Sequence, residues 1–196
     1  MNFTARQQEL LEFVKRQHEG QLRKYDKAPY WTHLVSVAQI ASDFEAHPFT
    51  VETALCHDLF EDTKCSEDEL HDELIRLHYS AEEAAAIIQG VRHLTDHYTA
   101  ASHAGLNRKA RKEKERLRLS KTPPHIQSIK YADMIDNLPS IVTHDHGFGV
   151  VYLKEKLLLL DVMRKGNIFL LVKCGWVVQN AINALQPHGL AGRAEE

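Results

Sequence analysis

The stretch CHDLFEDT, residues 56 to 63, concentrates one imidazole and three carboxylates, His57, Asp58, Glu61 and Asp62, in six consecutive positions. It follows an apolar run, TVETAL, whose pattern predicts a helix. Spacing of four then makes neighbours of His57 and Glu61, and of Asp58 and Asp62, on adjoining helix faces. A carboxylate at a helix C-terminus is opposed by the macrodipole and crowded acids repel one another, so this helix end calls for a compensating cation. A divalent metal meets the need; the bland alternative is an acidic cap on a surface helix.

Two other segments carry donors. His33, in PYWTHLVSVAQIA, sits on a helix whose Trp31, Leu34, Val35, Ala38 and Ala41 imply burial, where a lone histidine is by default a satisfied core residue. Asp133, in IKYADMIDNL, lies among Ile129, Ala132, Met134, Ile135 and Leu138, and carboxylates are rarely buried unless paired, hydrogen-bonded or bound to metal. Taken together, the three segments supply a His, a His-Asp pair and an Asp from separate helices, which can converge inside a bundle. Imidazole mixed with hard oxygen suits manganese, iron or zinc.

The elements that must position these groups are helices. Apolar residues recur at helical spacing throughout, and alternating strand-like segments are nearly absent, which predicts an all-α helical bundle of about eight or nine helices. They are expected at roughly 4–19, 30–44, 50–61, 66–78, 80–96, 106–119, 123–140, 149–164 and 167–185. Thr4 with Gln7, Ser66 with Glu69 and Ser80 with Glu83 fit capping boxes, and Pro123 after Thr122 fits a first helical position. Gly20, Pro48, Gly105 and the segment from His144 to Gly149 read as breaks.

The 196 residues are expected to form one domain, with a core over about 5–185 and a frayed tail over 187–196. A formal charge of −3 gives no global reason to expect nucleic acid or an anionic membrane as partner. Three cysteines without CxxC spacing read as reduced thiols, an N-terminus without an apolar stretch shows no export signal, and Lys173 interrupts the most apolar C-terminal segment. A cytoplasmic protein without a membrane span is the expectation; the oligomeric state is not legible. Residues 107–121 hold eight basic and two acidic side chains. A solvated helix face is the default for such a run, and a cationic rim for a polyphosphate is the alternative. Extra histidines at 93, 97, 103, 125, 144 and 146 are read as surface or loop residues.

The ordered set H…HD…D resembles the HD superfamily of metal-dependent phosphohydrolases. More narrowly, RKYDKAPYWTH from Arg23, HDLFEDT from His57 and KYADMIDNL from Lys130 resemble the hydrolase domain of RelA/SpoT proteins and the stand-alone small alarmone hydrolases of metazoan SpoT-homologue type, over roughly residues 5 to 160. The resemblance implies one metal, favouring Mn2+ over Fe2+ or Zn2+, held by His33, His57, Asp58 and Asp133. It implies Glu61 and Asp62 as the groups that orient water and handle its proton. It also implies a guanosine nucleotide substrate with a 3′-pyrophosphate, met by Arg23 on the purine face, Lys24 on phosphate, Asn137 at the ribose or reacting phosphate, and Tyr152 nearby. Two departures stand out: YDKA between Arg23-Lys24 and Pro29 lacks the glycine common in the family, and HDHGFGVVY lacks an arginine before the tyrosine. Hydrolysis of another nucleotide (a deoxynucleotide, an adenosine alarmone or NADPH) and a non-catalytic nucleotide sensor stay open beside the alarmone reading.

Overall fold

The computed structural model describes residues 3–185. Among them are ten helices: α1 (Ala5–Gln17), α2 (Trp31–Ser42), α3 (Thr50–Cys56), α4 (Leu59–Asp62), α5 (Glu67–Arg76), α6 (Ala81–Leu94), α7 (Arg108–Leu119), α8 (Pro124–His144), α9 (His146–Val162) and α10 (Ile168–Leu185). The all-α expectation holds; the one extended pairing among the described residues is an isolated antiparallel bridge between Leu22 and Pro29. All three expected capping boxes form, each with the Ser or Thr side chain accepting from the third helical residue and the Gln or Glu reaching back.

The architecture is organised around α8. Its buried residues include Ile126, Ile129, Ala132, Met134 and Leu138, which lie on more than one face, so the helix must be covered from several sides. Helices α2, α9 and α10 pack against it, and α2 in turn packs on α3. That sandwich of α3, α2 and α8 brings the three donor-bearing segments together.

Three boundaries differ from the sequence expectation. The helix expected over 50–61 is broken at His57 and Asp58, with Asp58 at φ −101°, ψ 1° between α3 and α4. Successive residues on an unbroken helix point about 100° apart, so the break lets adjacent side chains aim at one point. Pro123 is the N-cap of α8 and Pro124 takes the first turn. The expected break from His144 to Gly149 shrinks to Asp145, whose carboxylate caps α9 by accepting from the Phe148 amide at 3.1 Å. Capping outweighs the helix-breaking tendency of the two glycines there.

The face of α10 formed by Leu170, Cys174, Val178 and Ala181 is buried, while Ile168, Phe169, Val172 and Trp176 are exposed. Despite Lys173, this helix is by length and composition apolar enough to cross a membrane, with a mean hydropathy of 1.5 over 18 residues. Cys56, Cys65 and Cys174 are free and buried, as reduced thiols would be. The tail expected to fray lies outside the described residues.

Candidate metal centre

His33 reaches the centre from the first turn of α2, His57 from the C-terminal cap of α3, Asp58 from the joint that follows it, and Asp133 from the middle of α8. His33, His57 and Asp58 each present one ligand atom within 4.8 Å of the other two. His57 Nε2 lies 3.1 Å from Asp58 Oδ2, and His33 Nε2 lies 3.7 Å from Asp58 Oδ2 and 3.4 Å from Asp133 Oδ1. Asp133 Oδ1 is 4.0 Å from His57 Nε2. Donors that each sit about 2.0–2.2 Å from one cation are about 3 Å or more apart, so the spacing suits a shared ion.

The decisive feature is on the imidazoles. Both Nε2 atoms are buried without a hydrogen-bond partner, an arrangement that costs free energy unless something else fills it. Their Nδ1 atoms are engaged: His33 with Asp136 Oδ2 at 2.6 Å, His57 with the Ala54 carbonyl at 2.8 Å. Outer partners of that kind turn the other ring nitrogen toward a metal. Burial disfavours the His33 imidazolium, but the nearby Asp133 carboxylate, the Asp136 hydrogen bond and the charge of Asp58 outweigh it and raise its pKa to about 9. Burial pushes the Asp133 carboxyl up, yet Lys130 and the two imidazoles hold it well below the usual range. A surplus of negative charge therefore faces the unsatisfied nitrogens, and the four residues fit a divalent cation.

Around this centre stand groups that sequence reasoning did not single out. The Tyr30 hydroxyl contacts Asp58 Oδ2 and Asp62 Oδ2, each at 2.8 Å, and so ties a metal donor to one of the two expected proton-handling acids. Lys130 Nζ, 2.8 Å from Asp133 Oδ2, occupies the outer oxygen of that carboxylate. Tyr30 lay within a segment chosen for its resemblance, and the i,i+3 spacing of Lys130 and Asp133 was the available signal for that pair. Glu61 is raised to about 7, first by burial and then by Asp96 and Asp58, with Lys130 opposing. Asp62 is also raised, by burial and Asp58.

A cavity of about 190 Å³ opens beside the centre, lined by Arg23, Lys24, Tyr30, His33, Asn137 and Phe148 among others. Three of the four expected substrate contacts are thus brought together, and all three hold partners within the protein, Lys24 with Asp145 at 3.2 Å. Arg23 pairs with Asp136 at 2.8 Å and with Asp26 at 3.4 Å. Asn137 donates to Asp133 Oδ1 at 2.6 Å and so helps to fix the donor carboxylate. Tyr152 is not among the residues lining this cavity; it packs on Phe148, with its ring under the Lys156 ammonium at 4.6 Å. In the loop without the expected glycine, Lys27 takes the left-handed conformation at φ 59°, and Asp26 Oδ1 accepts from the Ala28 amide to hold the turn.

The basic helix α7 is not simply a solvated face. Arg118 turns inward to the carbonyls of His93 and Thr95 and to Glu115, Lys112 pairs with Asp96 at 2.6 Å, and Arg108 pairs with Glu155 at 2.8 Å. A larger hollow of about 610 Å³, lined in part by Phe60, Arg92, His97 and Arg118, includes none of the four metal donors.

Comparison with known proteins agrees with this geometry. The HD-domain family model matches residues 11–148. A GTP pyrophosphokinase of Myxococcus xanthus is 29% identical over 124 residues, a match covering 63% of this chain and 16% of that protein. A solved structure, described as a metazoan orthologue of SpoT that hydrolyses ppGpp, superimposes with a TM-score of 0.74 at 23% identity, covering 92% of this chain and 97% of that one. With a family match over most of its length and the H…HD…D donors gathered at one point, the chain belongs to the HD-domain family of metal-dependent phosphohydrolases.

Proposed function

We propose that this chain is a 3′-pyrophosphohydrolase acting, as a single hydrolase domain in the cytoplasm, on a purine nucleotide such as guanosine 3′,5′-bis(diphosphate). The observation that carries the reading is the pair of unsatisfied buried Nε2 atoms facing Asp58 and Asp133, beside a cavity with cationic and aromatic walls. A divalent cation held by His33, His57, Asp58 and Asp133, manganese by preference, supplies charge stabilisation at the phosphoryl oxygens and acidifies water.

The remaining work falls to the chain's own side chains. Water adds to the inner phosphorus of the 3′-diphosphate, the bond from that phosphorus to the sugar oxygen breaks, the sugar oxygen takes a proton, and pyrophosphate leaves. Glu61, raised to about 7, suits the transfer of that proton near neutral pH, and Asp62 beside it is also raised above an ordinary carboxyl. Tyr30 orients Asp62 through its hydrogen bond. Arg23 lies at the cavity wall where a purine face can meet a guanidinium plane, and Asp136 holds it in place. Lys24, exposed and paired with Asp145 at 3.2 Å, can exchange that surface partner for a phosphate.

Purified protein incubated with manganese and the 3′-diphosphorylated nucleotide is expected to release pyrophosphate in equal amount to the nucleotide consumed. Release of single phosphates only rejects the reading. A second reading, hydrolysis of another nucleotide such as a deoxynucleotide, an adenosine alarmone or NADPH, is favoured by the double pairing of Arg23, which leaves purine choice to the rest of the wall. A substrate panel scored separately for phosphate and pyrophosphate separates the two.

A further inference from the structure

A second, smaller cavity of about 100 Å³ shares no lining residue with the Arg23 cavity and is lined by none of the four metal donors. Glu61 lines it from α4, Lys130 from α8, Lys112 and Arg116 from α7, and Lys156 from α9. Lys130 pairs with the donor Asp133 at 2.8 Å, so one wall of the cavity is a single side chain away from the centre.

Its charges do not balance. Lys112 is matched by Asp96 and Lys130 by Asp133. Of the three other carboxylates of the lining, Glu155 and Glu115 are taken by arginines outside it, Arg108 and Arg118, and Glu61, raised to about 7, makes no ion pair with either remaining cation. Among the described residues, Arg116 and Lys156 are left without a carboxylate partner. The Arg116 Nε is buried with no hydrogen-bond partner at all, and the Lys156 ammonium has only the Tyr152 ring. Two uncompensated cations at one half-buried hollow repel each other and lose hydration, which is unfavourable until an anion arrives. The same shortage shows in Lys156 itself, lowered to about 8 by burial and by Lys130 beside it.

We propose that this cavity receives the outer phosphate of the 3′-diphosphate and holds the pyrophosphate product, with Arg116 and Lys156 as its cationic contacts. The size agrees: at about 100 Å³ the cavity is the smaller of the two and suits a compact ion. Substrate then straddles the centre, its purine nucleoside in the Arg23 cavity and its terminal phosphate between α7 and α9. The basic run of α7 thereby contributes to the site through Arg116, while its other cations are spent on internal pairs. The assignment to a diphosphate rests on the proposed function; the assignment of an anion site does not.

The test is binding of inorganic pyrophosphate to the metal-loaded full-length protein by titration calorimetry. Wild type, Arg116→Gln and Lys156→Gln are compared, with the charge-keeping Arg116→Lys and Lys156→Arg as rescues. Each glutamine variant is expected to weaken pyrophosphate binding about tenfold or more, as loss of a charge-assisted contact does, and to raise KM for the nucleotide. Metal content should stay unchanged, and the melting temperature without anion should match or exceed that of wild type, because a mutual repulsion has been removed. The rescue variants recover most of the affinity. Pyrophosphate affinity unchanged in both glutamine variants overturns the site, as does a loss of affinity that tracks a loss of metal. If wild type never releases pyrophosphate from nucleotide yet the variants weaken its binding, the functional reading falls and the anion site stands.

Discussion

Tyr30 offers one phenolic proton to two carboxylate oxygens, Asp58 Oδ2 and Asp62 Oδ2, both at 2.8 Å. A hydroxyl has one proton to donate, so Asp58 and Asp62 compete for it unless Asp62 carries a proton of its own, which its raised pKa favours. Replacement by phenylalanine keeps the ring packing against His18 and His33 and removes only the oxygen. Tyr30→Phe is expected to lower kcat about 10–100-fold with metal content retained by elemental analysis; an unchanged kcat removes Tyr30 from the machinery. Glu61 yields a pH prediction. Its carboxyl moves from 4.5 to about 7 on folding, so the folded protein binds an extra proton in that window. Stability from this group is present at low pH and lost as pH rises through 7. Metal-free Glu61→Gln should melt above wild type at pH 8 but not at pH 4. Exposure of the residue limits the gain to about 1 kcal/mol. A variant melting alike at both pH values contradicts the raised carboxyl.

At the scale of elements, the break between α3 and α4 aims His57 and Asp58 together, and α6 supports it from behind. Gly90 on α6 lies so close to α3 that an added Cβ would meet Thr53 Cγ2 at 2.7 Å. Thr53 is buried and β-branched, so it has little rotamer freedom to give way. Gly90→Ala should therefore cost about 1–3 kcal/mol in denaturant unfolding and weaken metal binding, since α3 carries His57 at its end. A variant as stable as wild type shows that α3 and α6 separate more easily than their packing implies. The short α8–α9 corner does comparable service on the other side: Asp145 caps α9 and also accepts from Lys24 and Tyr25. One carboxylate thereby fixes a helix start and one wall of the Arg23 cavity.

For the whole molecule, the centre joins α2, α3 and α8, elements distant along the chain, and its unpaired imidazole nitrogens are a local cost in the absence of a cation. Filling them should stabilise the entire fold. Metal at 100 times its Kd adds about 2.7 kcal/mol, a rise of about 5–10 °C in Tm for a domain of this size. Calorimetry with and without manganese measures it, and His57→Ala should show no such rise while keeping its helical circular dichroism. Protons compete for His33 and His57, so the rise should shrink as the pH falls. An equal rise in wild type and His57→Ala would falsify the centre.

The residue types and their order determined a good deal without any coordinates. Capping boxes are local hydrogen-bond patterns, so Thr4, Ser66 and Ser80 marked true helix starts. Helical spacing marked the all-α class, and the scarcity of buried unpaired acids drew attention to Asp133. Interactions between distant segments decided the rest. Only packing of α2 on α8 sets Asp136 against both His33 and Arg23. Only the approach of α7 to α9 leaves Arg116 and Lys156 facing one hollow without counter-charge. Sequence spacing encodes neighbours one helical turn apart; which charges lose their partners depends on which helices meet.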